Sequence, residues 1–172
     1  QNIRHFWSSI RPNGPKRPHI LDRLKLRICD YVSDIDLLLA ITALLELRVI
    51  NLFENIETLD PLVTSKFSLD QLSTICDQNE INAAQNSLDA ELIHWRDGKK
   101  VICREWIKSL LSDLSLTAKK LNMNYLLKPI YKILDEGNQS MKWIKQYEEG
   151  LSIEEIMKYA VDGMIKSEEE RI

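Results

Sequence analysis

The sequence predicts an α+β fold in which a few antiparallel strands are followed by a mostly helical body. Residues 5–11 and 24–30 alternate apolar and polar side chains, as half-buried strands do. Residues 93–102 have an Asp-Gly pair between apolar flanks, which is typical of a hairpin turn. Most of the remaining chain repeats apolar residues every three or four positions, the spacing of amphipathic helices.

The two N-terminal strands place basic side chains on one predicted face. Alternation puts Arg27 in the middle of the polar face of the second strand, where it either faces solvent or lines an anion-binding cleft. If the strands pair, Arg11 lies on the same face, beside Lys25 and Arg27. Guanidinium groups bind phosphate and carboxylate oxygens bidentately, so Arg27 and Arg11 are candidate anion-binding residues. His5 on this face is given no catalytic role.

The third element is predicted to be a long helix from Ser33 to about Asn55. Ser33 with Asp36 has the spacing of an N-terminal cap. Apolar residues surround nearly the whole helix, which predicts that most of it is buried. Two shorter helical pieces follow the break at residues 61–67, and the second, about 79–92, is rich in asparagine. Its short polar side chains predict either a cleft or a solvated helix face.

After the hairpin the chain is predicted to be a packed helical bundle. Pro129 suits the first turn of one helix and Gly137 its end, while Asn138 can cap the next. Ser152 and Glu155 form a capping box for the last helix. We predict residues 1–102 and 103–172 to be two parts of one domain.

Composition and charge predict a soluble protein with a basic N-terminal segment. The 172 residues are 44% hydrophobic and 28% charged, and the net charge is −3. Residues 1–27 contain seven Lys and Arg against one Asp, so the rest of the chain is strongly acidic. A basic segment before an acidic body predicts that the N-terminal end meets an anion. No apolar run approaches the roughly 20 residues of a membrane span.

The three cysteines and the first residue predict a cytoplasmic fragment. Cys29, Cys76 and Cys103 lack metal-ligand spacing, which favours reduced, buried thiols in a cytoplasmic protein. The chain starts at Gln1 without a signal-peptide pattern, so we expect part of a longer polypeptide.

Several short motifs, in this order, resemble glutamate–cysteine ligase of the cyanobacterial type. Each motif is weak alone, but their order is fairly specific and covers nearly the whole chain, as the C-terminal part of a complete ligase. The motifs are residues 4–7 (Arg-His-Phe-Trp), 11–14 (Arg-Pro-Asn-Gly), 23–30 (Arg-Leu-Lys-Leu-Arg-Ile-Cys-Asp), 38–46 (Leu-Leu-Ala-Ile-Thr-Ala-Leu-Leu-Glu), 87–92 (Ser-Leu-Asp-Ala-Glu-Leu), 104–106 (Arg-Glu-Trp) and 133–138 (Ile-Leu-Asp-Glu-Gly-Asn).

The resemblance implies a glutamine synthetase-like catalytic fold and an ATP-dependent ligation. ATP and Mg²⁺ are the implied cofactors, glutamate and cysteine the implied substrates, and the remainder of the same polypeptide the implied partner. Arg27 matches the family's strand arginine and is implied to contact the transferred phosphoryl group or nucleotide phosphates, with Arg11 as a weaker candidate. Similar ligases have a glutamate, implied to help hold Mg²⁺, where this chain has Lys25, and a lysine cannot coordinate a metal that takes oxygen ligands. No metal ligand is therefore assigned to this chain.

Two alternatives remain open. The first is a non-enzymatic helical binding module whose basic N-terminal arm meets an anionic partner, and the second is a degenerate ligase relative that binds a small acid without turnover. A nucleic-acid domain normally carries a broader basic face than this chain offers, so neither nucleic acid nor a membrane is a predicted partner.

Overall fold

The computed structural model describes residues 10–13, 23–26, 32 and 34–169, and it divides the chain into two compact units. Residues Gln1–Ser33 form the first unit and Asp34–Ile172 the second. The α+β class is confirmed, since the described residues form two small antiparallel sheets and nine α-helices. The division into parts at residue 102 stays a prediction.

The first unit contains the predicted strand pair. Strand β1, Ile10–Asn13, runs antiparallel to strand β2, Arg23–Leu26. The predicted pairing is confirmed, with Ile10 opposite Leu26 and Arg11 opposite Lys25. Strand β1 extends two residues beyond the predicted end at residue 11, through Pro12 and Asn13. Residues 5–9 and 27–30 of the predicted strands lie outside the described residues.

The second unit begins with helix α1, Ile35–Glu54. Its N-cap is Asp34 rather than Ser33, since the Asp34 side chain accepts a hydrogen bond from the Asp36 N–H at 2.9 Å. The prediction that most of α1 is buried was wrong. Only one stripe is buried, and large apolar side chains elsewhere on α1 are exposed, including Phe53 at 76%. The buried stripe comprises Ala40, Ala43, Leu47 and Asn51.

The core forms where this narrow stripe meets helices from the C-terminal half. Small alanines at two of its four positions let the neighbouring backbone approach α1 closely. The cluster consists of Ala40, Ala43, Leu47, Leu88, Leu111, Leu114, Ala118, Leu127, Ile130 and Leu134. Burial of this kind of surface, at about 25 cal/mol per Å² of apolar area, is the main term that stabilises the unit.

Three helices and a turn lead from α1 to the hairpin. They are α2 (Ile56–Leu59), α3 (Pro61–Thr64), α4 (Leu69–Asn86) and a 3₁₀ turn (Ser87–Asp89). Two predictions were wrong here. The break at residues 61–67 contains α3, and the two predicted helical pieces are one helix that ends at Asn86, before the turn and strand β3. A capping box between Ser68 and Gln71 starts α4.

The hairpin is confirmed. Strand β3, Glu91–Ile93, pairs antiparallel with strand β4, Lys100–Ile102, with Leu92 opposite Val101. Gly98 takes φ +73°, and a Cβ atom there would lie 2.8 Å from Phe67 Cζ, so the turn requires glycine on both counts.

The C-terminal region is helical as predicted, with five helices in its described part. They are α5 (Cys103–Asp113), α6 (Ser115–Lys120), α7 (Lys128–Glu136), α8 (Gln139–Glu148) and α9 (Ile153–Glu169), with a 3₁₀ turn at Asn124–Leu127. Pro129 lies in the first turn of α7, Gly137 follows its end, and Asn138 caps α8. The prediction of a fully packed bundle was wrong for α9, where Ile156 is buried but Ile153 and Met157 are exposed.

The capping box of α9 should make its first turn sensitive to acid. The N–H and hydroxyl of Ser152 both donate to Glu155 Oε2 at 2.8 Å and hold the pKa of Glu155 below its usual value. A pKa lowered by folding gives stability that is present above the unfolded value, near 4.5, and is lost as pH falls through the folded value. We expect the protection of amides at the start of α9 against hydrogen exchange, relative to the intrinsic exchange rate at each pH, to fall below about pH 4.5. The Glu155→Gln variant keeps the box without the charge and should lose this pH dependence; an unchanged dependence would contradict the assignment.

Candidate functional site

The described residues do not test the roles predicted for Arg11 and Arg27. Arg11 lies in β1 directly opposite Lys25 of β2, as the alternation predicted. Arg27 lies outside the described residues, so its predicted role stays a prediction. The described residues contain no group of three or more His, Cys, Asp or Glu side chains that could hold a metal ion.

The described thiols are not poised as nucleophiles. Cys76 is exposed, which contradicts the prediction that the cysteines are buried, and Cys103 is half-buried. Desolvation of the sulfur atom is the main reason that the pKa of each thiol is raised, and the charges of Glu80 and Asp77 add to the effect at Cys76. Both thiols therefore remain protonated at neutral pH. Cys29 lies outside the described residues.

Three of the motif segments quoted above meet in the second unit. Arg104 Nη2 donates to Asp89 Oδ1 at 3.1 Å, which joins the start of α5 to the 3₁₀ turn after α4. Asn138 Nδ2 donates to Ser87 Oγ at 2.6 Å, which joins the cap of α8 to the same turn. These motif residues therefore link the starts of α5 and α8 to the same turn.

The asparagines of α4 hold the hairpin in place. Asn79 Nδ2 donates to the Ile93 carbonyl at 2.8 Å, and the Ile93 N–H donates to Asn79 Oδ1 at 2.7 Å. Asn82 Nδ2 donates to the Glu91 carbonyl at 3.1 Å. Asn79 and Asn82 therefore neither line a cleft nor only face solvent, which were the two predicted alternatives. They pair with the edge of β3 that faces away from β4.

A cleft of about 230 Å³ lies between α1, the end of the hairpin and α5. We call it the Trp95–Trp106 cleft. Its apolar lining comes from Leu59, Val101, Leu110 and the two indoles, and its polar lining from Arg48, His94, Arg96, Glu105, Ser109 and Asp113.

Hydrogen bonds to backbone carbonyls hold the hairpin side of the cleft in place. The Ser65 hydroxyl donates to the Trp95 carbonyl at 2.6 Å, and the Lys66 N–H donates to the Arg96 carbonyl at 3.2 Å. Arg96 Nη2 reaches across to the Thr58 carbonyl at 2.7 Å. These bonds fix the backbone at Trp95 and Arg96 and the position of the Arg96 guanidinium.

Aromatic rings and a guanidinium stack along one wall. The His94 ring lies 5.5 Å from the Trp95 ring and 4.9 Å from the Trp106 ring, and the Arg96 guanidinium lies 4.9 Å from the Trp95 ring. His94 Nδ1 accepts from the Arg96 N–H at 3.2 Å, so a neutral His94 carries its proton on Nε2.

Arg48 is the most desolvated cation of the cleft. Burial lowers its pKa, and the charge of Asp113 acts in the opposite direction. No carboxylate of the described residues lies within 4 Å of the Arg48 guanidinium. Asp113 attracts Arg48 but does not form a direct ion pair with it.

Sequence reasoning missed this cleft. The available signals were an arginine within an apolar helix, at position 48, and the aromatic and basic run His94-Trp95-Arg96 just before the turn. Neither signal showed that α5 would bring Trp106 and Asp113 to the same place.

Comparison with known proteins supports the resemblance. The sequence model of the glutamate–cysteine ligase family 2 matches residues 1–169. The chain belongs to this family. Two relatives, named "Putative glutamate–cysteine ligase 2-2" of Legionella pneumophila strain Corby and "Putative glutamate–cysteine ligase 2-1" of strain Lens, are each 24% identical to it over 157 residues.

The match covers the relatives only in part. The aligned region is 91% of this chain and 39% of each relative, so this family 2 chain spans well under half of their length. No solved structure matches it. No helix in the described part of the chain is both long and apolar enough to cross a membrane.

Proposed function

We propose that this chain is the C-terminal segment of an ATP-dependent glutamate–cysteine ligase of the cyanobacterial type, with a glutamine synthetase-like fold. The observation that carries the proposal is the family match across residues 1–169. The names of the Legionella relatives agree with it. Within this proposal the protein acts in the cytoplasm, in the first step of glutathione synthesis.

The reaction joins two amino acids through an activated carboxylate. The γ-carboxylate of glutamate attacks the terminal phosphorus of ATP, which releases ADP and leaves a γ-glutamyl phosphate. The amine of cysteine, after losing a proton, attacks the acyl carbon, so that an amide bond forms and phosphate leaves. Both steps concentrate negative charge on phosphate oxygens, and fixed cationic donors stabilise such charge.

Arg27 and Arg11 are the residues of this chain that we propose for that task. Arg27 would contact the transferred phosphoryl group, and Arg11 the nucleotide phosphates. Their guanidinium groups can each donate two parallel hydrogen bonds to a phosphate. The position of Arg11, within a ladder beside Lys25, supports a cationic sheet surface.

The described residues do not fit the Mg²⁺ that the family resemblance implies. They contain no cluster of three candidate ligands, and Lys25 occupies the position where similar ligases are implied to have a ligating glutamate. We therefore assign the metal ligands and the glutamate-binding residues to the remainder of the same polypeptide, and no step here runs through the metal.

The test compares the polypeptide as its gene encodes it with the 172-residue chain. With ATP, glutamate and cysteine, we expect the encoded polypeptide to release ADP and form γ-glutamylcysteine, measured by mass spectrometry. Adding hydroxylamine without cysteine should trap the acyl phosphate as a hydroxamate. The 172-residue chain alone should form neither product.

Three results would overturn parts of the proposal. Product formation by the 172-residue chain would refute the assignment of essential residues elsewhere. Binding of glutamate without turnover by the encoded polypeptide would favour the degenerate relative, which binds a small acid. No gain in Mg²⁺-dependent activity for Lys25→Glu would refute our account of that position.

A further inference from the structure

The Trp95–Trp106 cleft contains charges of both signs. Arg48 and Arg96 contribute cations, and Glu105 and Asp113 contribute carboxylates. Glu105 is already paired with Lys108 at 2.9 Å, and Arg96 with the Thr58 carbonyl. Arg48 and Asp113 make no direct hydrogen bond to any residue that the structure describes, so they are the pair that a ligand could engage.

The arrangement of Arg48 and Asp113 favours a ligand that carries both charges. A partly buried guanidinium without a direct anionic partner is unfavourable, and a bound carboxylate would relieve that cost. A simple anion would be repelled by Asp113. A zwitterion can instead place its carboxylate at Arg48 and its ammonium group at Asp113, in the gap of more than 4 Å between their charged atoms.

The size and walls of the cleft limit the rest of the ligand. An apolar cavity of about 150 Å³ holds a benzene ring, so 230 Å³ holds a medium-sized side chain. Leu59, Val101 and Leu110 provide apolar contacts. Trp95 is already contacted by His94 and Arg96, which leaves little free ring surface for stacking a nucleobase.

We propose that the Trp95–Trp106 cleft binds a free α-amino acid with an uncharged side chain, through Arg48 and Asp113. The inference does not rest on the ligase reaction, because binding in this cleft needs neither ATP nor Arg27. A sulfur-containing side chain would suit it well, since sulfur makes favourable contacts with indole rings.

The experiment is a titration of the 172-residue chain with L-methionine, followed by calorimetry and by the indole N–H signals of Trp95 and Trp106 in NMR spectra. We expect saturable binding in the millimolar range or tighter. N-acetyl-L-methionine lacks the ammonium group and L-methioninol lacks the carboxylate, so both should bind about tenfold or more weakly. L-glutamate should bind more weakly too, because its side chain adds a negative charge near Glu105.

Variants separate a binding role from a structural one. Arg48→Gln and Asp113→Asn should each weaken L-methionine binding about tenfold or more. The exposed charges Glu46 and Lys120 provide matched controls, Glu46→Gln and Lys120→Gln, that should bind normally. Because Arg48→Gln removes a poorly compensated cation, its melting temperature should be unchanged or higher.

Several outcomes would overturn the proposal. One is no saturation by about 10 mM L-methionine. Another is equal binding of N-acetyl-L-methionine, which would indicate a simple anion site. A third is an Arg48→Gln variant that melts at a lower temperature but binds L-methionine normally, which would make Arg48 a structural cation. A turnover defect in the encoded polypeptide with intact L-methionine binding would count against the proposed ligase function alone.

Discussion

Arg27→Gln in the polypeptide as its gene encodes it is expected to lower kcat for γ-glutamylcysteine formation by about a hundredfold or more. Removing one preorganised donor from developing oxyanion charge costs about a hundredfold to a thousandfold in turnover. The loss should fall mainly on kcat, because the guanidinium would act most strongly on charge that develops in the transition state. Steady-state ADP release at saturating substrates measures it.

The matched control is Arg17→Gln, which removes a cation from the same basic N-terminal segment outside both predicted strands. It should leave kcat within about twofold, since a cation that does not contact the substrate acts only through a screened field. Arg11→Gln should mainly raise the KM for ATP. Equal, small effects of Arg17→Gln and Arg27→Gln would show that only the general positive charge of the segment matters.

Asn79→Ala is expected to destabilise the second unit by about 2 kcal/mol. The substitution removes two short hydrogen bonds and leaves the N–H and carbonyl of Ile93 without them, and an unpaired, partly buried polar group costs about 1–3 kcal/mol. Alanine is the better helix former, which offsets a few tenths of a kcal/mol. Urea unfolding measures the total, and hydrogen exchange at the Ile93 amide should accelerate about tenfold or more.

Gln85→Ala serves as the control on the same helix, because the Gln85 side chain is exposed. It should be neutral or slightly stabilising. If Asn79→Ala and Gln85→Ala unfold at the same urea concentration, the two bonds to Ile93 contribute nothing to stability.

Local chemistry was enough to predict several elements. The Asp97-Gly98 turn, the Asn138 cap and the Ser152–Glu155 box depend on residues a few positions apart. Alternation also indicated that Arg11 and Lys25 would share a face if the two N-terminal strands paired, and β1 and β2 do pair with these residues opposite each other. Each of these features is set by contacts within one short segment or between adjacent segments.

The errors arose where two signals competed or where distant packing decides. Ser33 and Asp34 are both good caps, and the Asp34 carboxylate makes the observed bond to Asp36. The polar residues of α4 interrupt the apolar repeat that predicts a helix, so α4 was predicted as two pieces. Asn79 and Asn82 instead bond to strand β3, which lies more than eight residues further along the chain. Exposure of α1 could not be predicted because apolar composition does not say how many neighbours a helix has.

The Trp95–Trp106 cleft also could not be predicted from the sequence, because distant segments form it. Its charged pair comes from α1 and the end of α5, which are 65 positions apart, and its stacked wall comes from the hairpin and α5. Only the packing of α1 against the C-terminal helices brings these segments together. The predicted roles of Arg11 and Arg27 stay predictions, and they rest on residue type and on alternation within two adjacent segments.

The hydrogen bonds from the asparagine side chains of α4 also determine which edge of the hairpin can accept another strand. A two-stranded sheet ordinarily offers two edges to an added strand. Asn79 and Asn82 already occupy the outward backbone groups of Ile93 and the carbonyl of Glu91 on one edge. Any further strand that joins this sheet, from the rest of the polypeptide or from another chain, must therefore pair with β4. Helix α4 blocks the other edge, along β3.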